Sequence, residues 1–391
     1  MIESAPATMP ETKPVTSGNR KISIGFPASA SPSERRFPIT PEGAETLVEQ
    51  GFEIKIEQNA GAAIHYTDAN YSRRGAEITT RGGALACDII VHPAPLREED
   101  IRSLRRGSML LTMLNLEEMT SSYIAGLNRK SIIAIALDRI TDSAGNRPFA
   151  DILNEVAGRA AIALAGSHLC DSINGKGILL GGIAGIVPCE VTVIGSGIAA
   201  IAAATSACGL GATVRMFDDD IYSLRRAALQ LGPQIIASSQ HHSVLSKALF
   251  SADVIILTEV SRKPLITAEE TSLLKRGVIT FDLTENPGKS FVAMETRNAG
   301  TCSLDTINSS RRICYTHASN AVPRTAAMAM SNTLVTLFGS LRTSDCATNA
   351  LKLSEGLQEG AITYLGKIVS AEVAARLGCR AQDISLFIRL S

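Results

Sequence analysis

From residue 21 onward, short apolar runs alternate with amphipathic stretches, the pattern of strands and helices taken in turn. Residues 21–26 read as a strand. Residues 40–50 read as a helix, with Thr40 as N-cap, Pro41 in the first turn and Gly51 closing the far end. Residues 52–57 alternate as a strand, and apolar runs at 89–92, 108–114 and 132–137 predict three more. A long helix is expected over about 154–169. A glycine-rich break at 175–185 then leads into a second series with strands at 191–194, 213–217, 254–257 and 278–282. After Pro323 the pattern predicts a long apolar helix to about residue 341 and a helical C-terminal segment. Strands separated by helices imply parallel sheets with helices on their faces. The expected fold is α/β, with two doubly wound Rossmann-like domains joined by two long helices.

Composition narrows what such a fold does. In 391 residues, 38 Lys+Arg balance 38 Asp+Glu, which argues against nucleic acid or an anionic membrane as the main partner. Aromatics are 4% and Trp is absent, so a base-stacking surface is not expected. The eight Cys are scattered, with no C-x-x-C and no metal-ligand spacing, and read as core thiols of a cytoplasmic protein. No apolar stretch reaches the roughly 20 residues of a membrane span, so no membrane insertion is expected. No metal site is expected either. Residues 1–20, rich in Pro, Thr and Ser, read as a flexible tail.

The strongest chemical signal is the run VTVIGSGIAA at residues 191–200. An apolar strand meets G-x-G-x-x-A and an Ala-rich helix follows. Gly195 permits the tight turn, Gly197 lets backbone amides approach a pyrophosphate, and Ala200 lets helix and strand pack closely. Ser196 and Ile198 present their amides in the same loop, and the helix N-terminus favours phosphate charge. Asp218 ends the next strand, where a carboxylate can accept from both ribose hydroxyls. NAD is therefore the expected cofactor, because a 2′-phosphate would meet that negative charge; NADP is the less favoured alternative. Arg215, on the other strand face by parity, is poorly placed to help NADP. Asp218 also has a plain structural reading, as N-cap of the following helix.

Several stretches, taken in order, resemble one family. Residues 34–41 (ERRFPITP), 71–77 (YSRRGAE), 154–159 (NEVAGR), 180–185 (LGGIAG), the loop above and 321–325 (AVPRT) are similar to the alanine dehydrogenase / transhydrogenase alpha-subunit family. That family also includes saccharopine dehydrogenase and N5-carboxyethylornithine synthase-like members. The resemblance implies a discontinuous first domain (21–150 plus 325–391, binding substrate), a central NAD-binding domain (151–324) and a cleft between them. It implies hydride transfer between a nicotinamide and the α-carbon of an amino or imino acid. It also implies a homo-oligomer, a dimer or larger. Asn154 joins the expected cofactor contacts through its matching stretch.

Carried over residue by residue, the site is altered. Arg36 matches the family arginine that holds the substrate carboxylate, against a plain reading as a surface ion pair with Glu34. The family's catalytic Lys has no counterpart in DIIVHPAP at 88–95, where His92 falls nearest. Asn115 stands where the dehydrogenases carry a catalytic His, and Asn286 where they carry an active-site Asp. His317 falls before the second long helix, bordering the expected cleft; Glu117, Glu155 and Glu285 are further acids. His92 could replace the lost base, since imidazole changes charge near neutral pH, whereas Asn115 can hydrogen-bond but not shuttle protons. The readings left open are an altered amino-acid or opine-type dehydrogenase, an alanine-dehydrogenase-like enzyme with relocated groups, and an inactive NAD-binding homologue acting as pseudoenzyme or subunit.

Overall fold

The computed structural model describes residues 21–259, 265, 267–285, 287–301, 312–341, 351–352 and 354–390. The expected tail at 1–20 and Asn286 lie outside them.

The first half alternates as its pattern requires: β1 (Ser23–Phe26), α1 (Pro41–Glu49), β2 (Glu53–Glu57), α2 (Asp68–Ser72), β3 (Glu77–Thr79), α3 (Arg81–Leu85), β4 (Ile89–His92), α4 (Glu98–Ile101), β5 (Met109–Thr112), α5 (Ser121–Arg129) and β6 (Ile133–Ala136). Thr40 caps α1 by accepting from the Gly43 amide at 3.2 Å, and Gly51 follows in a left-handed conformation at φ 101°. α6 spans Pro148–Cys170. It begins at a proline, which suits the first turn of a helix, six residues before the expected start.

The second series comprises β7 (Glu190–Ile194), α7 (Ile198–Gly209), β8 (Thr213–Phe217), α8 (Ile221–Leu231), β9 (Ile235–Ser238), α9 (His242–Ser251), β10 (Val254–Leu257), α10 (Ala268–Leu273), β11 (Ile279–Asp282), β12 (Glu295–Asn298) and β13 (Ile313–Thr316). α11 (Pro323–Leu341) follows. The C-terminal segment is not all helical as expected. After α12 (Glu355–Glu359), β14 (Ala361–Tyr364) and β15 (Lys367–Ile368) form a hairpin before α13 (Ala371–Arg376) and α14 (Ile384–Leu390).

Two sheets result. The first runs β15-β14-β6-β5-β4-β1-β2-β3 and is parallel from β6 to β3, with β14 antiparallel on the edge of β6. Chain from both ends of the sequence thus builds one sheet. The second runs β12-β13-β11-β10-β7-β8-β9 and is parallel throughout. Alternation divides the first sheet's faces. Ile89, Val91, Met109 and Leu111 pack in a core that includes Leu334 and Phe338 of α11, while Ile90 and Leu110 pack in a second core with Leu85, Ile101 and Tyr123. α6 and α11 pack together through Leu153, Val156, Ala326 and Met330. α6 also crosses α7 so closely that a Cβ on Gly158 would lie 2.2 Å from the Ala199 carbonyl oxygen. The small residues of α7 allow that approach.

Candidate active site

In an open parallel sheet the binding crevice lies beyond the carboxyl ends of the strands, where the winding reverses. Here that point is β7, with β8 and β9 on one side and β10, β11 and β13 on the other. The Gly195–Gly197 loop leaves β7 there. Gly195 has φ 104°, a left-handed value that favours glycine, and its amide donates to the Phe217 carbonyl at 2.7 Å. Gly197 opens α7 with no side-chain cap, and a Cβ placed on it would meet nothing within 4 Å. The first amides of α7 therefore face open space, as a phosphate-binding turn requires. Asn154 lies exposed on α6, one turn before Gly158 and on the same helix face.

Asp218 is buried beside this loop. Its carboxylate accepts from the Ser196 hydroxyl and, at 2.7 Å, from the Asp220 amide. The N-cap of α8 is Asp220, which accepts from the Tyr222 and Ser223 amides, so Asp218 is not the capping residue. Glu259 stands nearby. Desolvation, then repulsion from Asp218, Asp219 and Asp220, push its carboxyl above the usual range. Arg215 instead pairs with Glu190 at 3.3 Å. The open amides and the buried carboxylate are residues that could hold the pyrophosphate and ribose of a dinucleotide.

Across the crevice, residues 33–36 reach from the first sheet to loops of the second. The Ser33 carbonyl accepts from Asn320 Nδ2 at 2.9 Å and from Asn298 Nδ2 at 3.4 Å, and Arg35 Nη1 donates to the Gly300 carbonyl at 3.1 Å. Arg36 is neither free nor on the surface. Its side chain is 13% exposed and pairs with Glu34, 8% exposed, through Nε at 2.8 Å and through Nη2. The Glu34 carboxylate also accepts from the Arg36 amide at 2.9 Å. Burial opposes the guanidinium's charge, but Glu34, with a contribution from Asp138, holds its pKa above the ordinary value.

His92 is buried at the end of β4. By alternation it leaves the sheet on the side of Ile90, the face opposite the α11 core. Its Nδ1 is engaged with the Ala94 backbone, while its Nε2 has no hydrogen-bond partner among the described residues. Thr112 Oγ1, on the residue paired with His92 across β5, is likewise buried and unpartnered. Desolvation lowers the His92 pKa, and the Ala94 contact and Glu34 only partly oppose it. Asn115 is exposed and folded into a local turn: its Oδ1 accepts from the Glu117 amide at 3.1 Å and its Nδ2 donates to Glu118 at 2.9 Å. Desolvation, moderated by Asn115 and reinforced by Glu34, raises the Glu118 carboxyl. Asp282, buried at the end of β11, braces the following loop by accepting from Thr284 and from the Gly288 amide at 2.7 Å.

Two residues that no sequence motif marked lie just beyond β6, and one of them, Arg139, joins the two sheets. Arg139, just after β6, pairs with Asp138, with Glu285 of the second sheet's loop and with Glu372 of α13. Asp138 is buried and accepts from the Leu114 amide at 2.7 Å. Their position beyond a strand's carboxyl end is the signal that could have found them. Among the described residues no cluster of three or more His, Cys, Asp or Glu could hold a metal ion, and no helix is long and apolar enough to cross a membrane.

The chain thus carries a glycine-rich turn at the switch point of one sheet and a buried guanidinium on the other, and it has known relatives. Residues 25–160 match the alanine dehydrogenase/PNT N-terminal domain and residues 161–371 its C-terminal domain. The chain belongs to the alanine dehydrogenase/PNT family. It is 30% identical to an alanine dehydrogenase of Mycolicibacterium smegmatis over 378 residues, covering 93% of this chain and 99% of that protein. It is 28% identical to the Geobacillus stearothermophilus alanine dehydrogenase, covering 90% and 96%. Among solved structures, an L-alanine dehydrogenase superposes with a TM-score of 0.81 at 22% identity, covering 91% of this chain and 99% of that one. A Sinorhizobium meliloti transhydrogenase gives 0.71 at 19%, covering 89% and 99%. These two share the two-domain Rossmann-like fold.

Proposed function

We propose that this protein is an NAD-dependent oxidoreductase that moves hydride at the α-carbon of an amino or imino acid, as an amino-acid or opine-type dehydrogenase. The observation that carries the reading is the open N-terminus of α7 beside Asp218, set across a cleft from the buried Arg36. In this reading the amides of residues 195–200 hold the pyrophosphate and Asp218 accepts the ribose hydroxyls. Asn154 borders the same site, and the acids around Asp218 select NAD over NADP. Bound NAD supplies the hydride acceptor. Arg36 takes the substrate carboxylate in a bidentate grip once Glu34 yields it.

His92 and Asn115 enter the proposal with reduced roles. Asn115 is committed to its turn and cannot carry protons, and His92, buried at the end of β4 and acted on by Glu34, is assigned to the wall of the substrate end. The division into 21–150 plus 325–391 for substrate and 151–324 for NAD is part of the same proposal, supported by β14 completing the first sheet. A homo-oligomer is proposed through the central domain, where Ile173, Leu179, Ile183, Ile186 and Val187 stand exposed after α6. Sedimentation showing only monomer would remove it. Cytoplasmic residence is proposed from six described cysteines that are all free thiols; recovery in an extracellular fraction would contradict it.

The test is a screen for NADH oxidation with 2-oxo acids plus ammonia or amino acids, run beside a direct measurement of NADH binding. The grip of Glu34 on Arg36 favours a second reading, a catalytically inactive NAD-binding homologue serving as pseudoenzyme or regulatory subunit. NADH binding without turnover in any pairing would select that second reading.

A further inference from the structure

The proposed reaction needs a group that takes a proton from the substrate ammonium, and the site as described offers no lysine for it. We propose that His317, held in a left-handed backbone at the end of β13 in a turn tied to the segment that carries the Arg36–Glu34 pair, is the proton-transfer residue of this site. The proposal rests on the oxidoreductase reading and gives that site its base.

Position comes first. Ile194, Leu257, Asp282 and Thr316 are paired in register across β7, β10, β11 and β13, so the four strand ends form one row. His317 lies one residue beyond that row, at the level of Gly195 and roughly 14 Å along the crevice, three strand spacings away. Asp218 ends β8, on the other side of β7. With Asp218 and the 195–200 loop proposed to hold a dinucleotide, the ends of β10, β11 and β13 are the part of the crevice left beside them.

The local conformation points the same way. His317 has φ 54° and ψ 46°, a left-handed conformation that histidine enters more readily than most non-glycine residues. The turn that follows is tied by the Asn320–Ser33 hydrogen bond to the residue just before the Arg36–Glu34 pair. His317 Nδ1 meets Thr316 Oγ1 at 2.9 Å, which orients the ring, and Nε2 makes no hydrogen bond among the described residues. The charged groups that act on the ring are Arg36, Glu34 and Asp282. Desolvation and then Arg36 lower its pKa, while Glu34 and Asp282 oppose them. The residue is exposed, so solvent tempers the desolvation, and the net shift is downward, which favours the neutral, proton-accepting imidazole.

In oxidation, the neutral Nε2 takes a proton from the substrate ammonium, breaking an N–H bond and forming imidazolium. The nitrogen lone pair so freed would make the C=N bond as the α-hydrogen departs with its electron pair to the hydride acceptor that bound NAD would supply. The product is an iminium, which water or a second amine consumes. In reduction the imidazolium returns the proton to the amine.

His317→Gly and His317→Asn both tolerate a left-handed backbone, so either variant can fold without new strain. Both are expected to bind NADH within twofold of wild type and to lose about 100-fold or more of turnover at pH 7. Wild-type kcat/KM for amino-acid oxidation should fall on the acid side as His317 protonates. That limb should vanish in both variants, and added imidazole should restore turnover to the Gly variant more than to the Asn variant. A readout free of turnover is histidine NMR of the ligand-free protein. The resonance missing in His317→Gly should titrate below the ordinary histidine value and move upward in Arg36→Gln. Turnover of the Gly variant within threefold of wild type, with its acid limb intact, or a His317 resonance indifferent to Arg36→Gln, would overturn the proposal while leaving the oxidoreductase reading standing. Wild-type protein that binds NADH yet turns over no substrate pair overturns that reading and this proposal with it.

Discussion

Replacing Arg36 by Met tests whether the buried pair is as closed as its geometry states. Three hydrogen bonds join residues 34 and 36, and both side chains are nearly enclosed. The substitution strands the Glu34 carboxylate beneath the loops that Ser33 and Arg35 tie to the second sheet. Breaking one side of a buried ion pair costs about 3–5 kcal/mol, because the remaining charge loses its partner without regaining water. At roughly 2–4 °C per kcal/mol for a domain of this size, the melting midpoint should fall by about 6–20 °C. Glu34→Gln should cost less, about 1.5–3 kcal/mol, since the amide oxygen still accepts from Nε and Asp138 still attracts the guanidinium. The double variant should recover most of the Arg36→Met loss, because removing both charges is close to neutral.

The chain has no Trp, so urea unfolding is best followed by far-ultraviolet circular dichroism. The same variants separate two views of Glu34. If it competes with substrate for Arg36, Glu34→Gln should tighten 2-oxo acid binding by about tenfold, the equivalent of roughly 1.4 kcal/mol. An Arg36→Met protein within about 1 kcal/mol of wild type would refute the buried pair. Weaker oxo-acid binding in Glu34→Gln would show that Glu34 positions Arg36 instead of blocking it.

Two further substitutions test the remaining placements. Asp218→Ala should raise the Kd for NADH by about 10- to 100-fold, the worth of charged hydrogen bonds to ribose; titration of NADH fluorescence checks it, and an unchanged Kd would show the ribose assignment to be wrong. His92→Ala should keep turnover within about threefold of wild type, well short of the roughly 100-fold or larger loss expected of a proton carrier; a loss of that size in steady-state assays would return His92 to the chemistry.

Some of this was legible because local pattern suffices for it. Runs such as 89–92 and 254–257 are largely apolar because their strands are covered on both faces, and they became strands with those bounds. The nucleotide loop was legible for a related reason: its glycines answer to backbone geometry that sequence fixes within a few residues. The strand Ala361–Tyr364 was not. Its four residues carry little periodicity, and it forms by pairing with the edge of β6, more than two hundred residues earlier in the chain. Arg139 was invisible for the same reason, since two of its three partners come from distant segments.

The Arg36–Glu34 pair shows why site chemistry is harder to read than site position. Residues two apart with opposite charge look like a local, solvated pair, and nothing in residues 34–36 says otherwise. Their burial is imposed by chain from the far end of the molecule, through Asn298, Gly300 and Asn320. Water withdrawn from the pair makes it strong enough to hold Arg36 against a substrate carboxylate. The same turn brings the exposed His317 into the field of both charges, and partial desolvation together with Arg36 lowers its pKa against the pull of Glu34. Glu34 yielding to a substrate carboxylate would leave Arg36 neutralised by substrate instead, with His317 beside the ammonium that must lose its proton. The contacts that hide Arg36 in the ligand-free chain are thus the ones that would assemble the reaction centre.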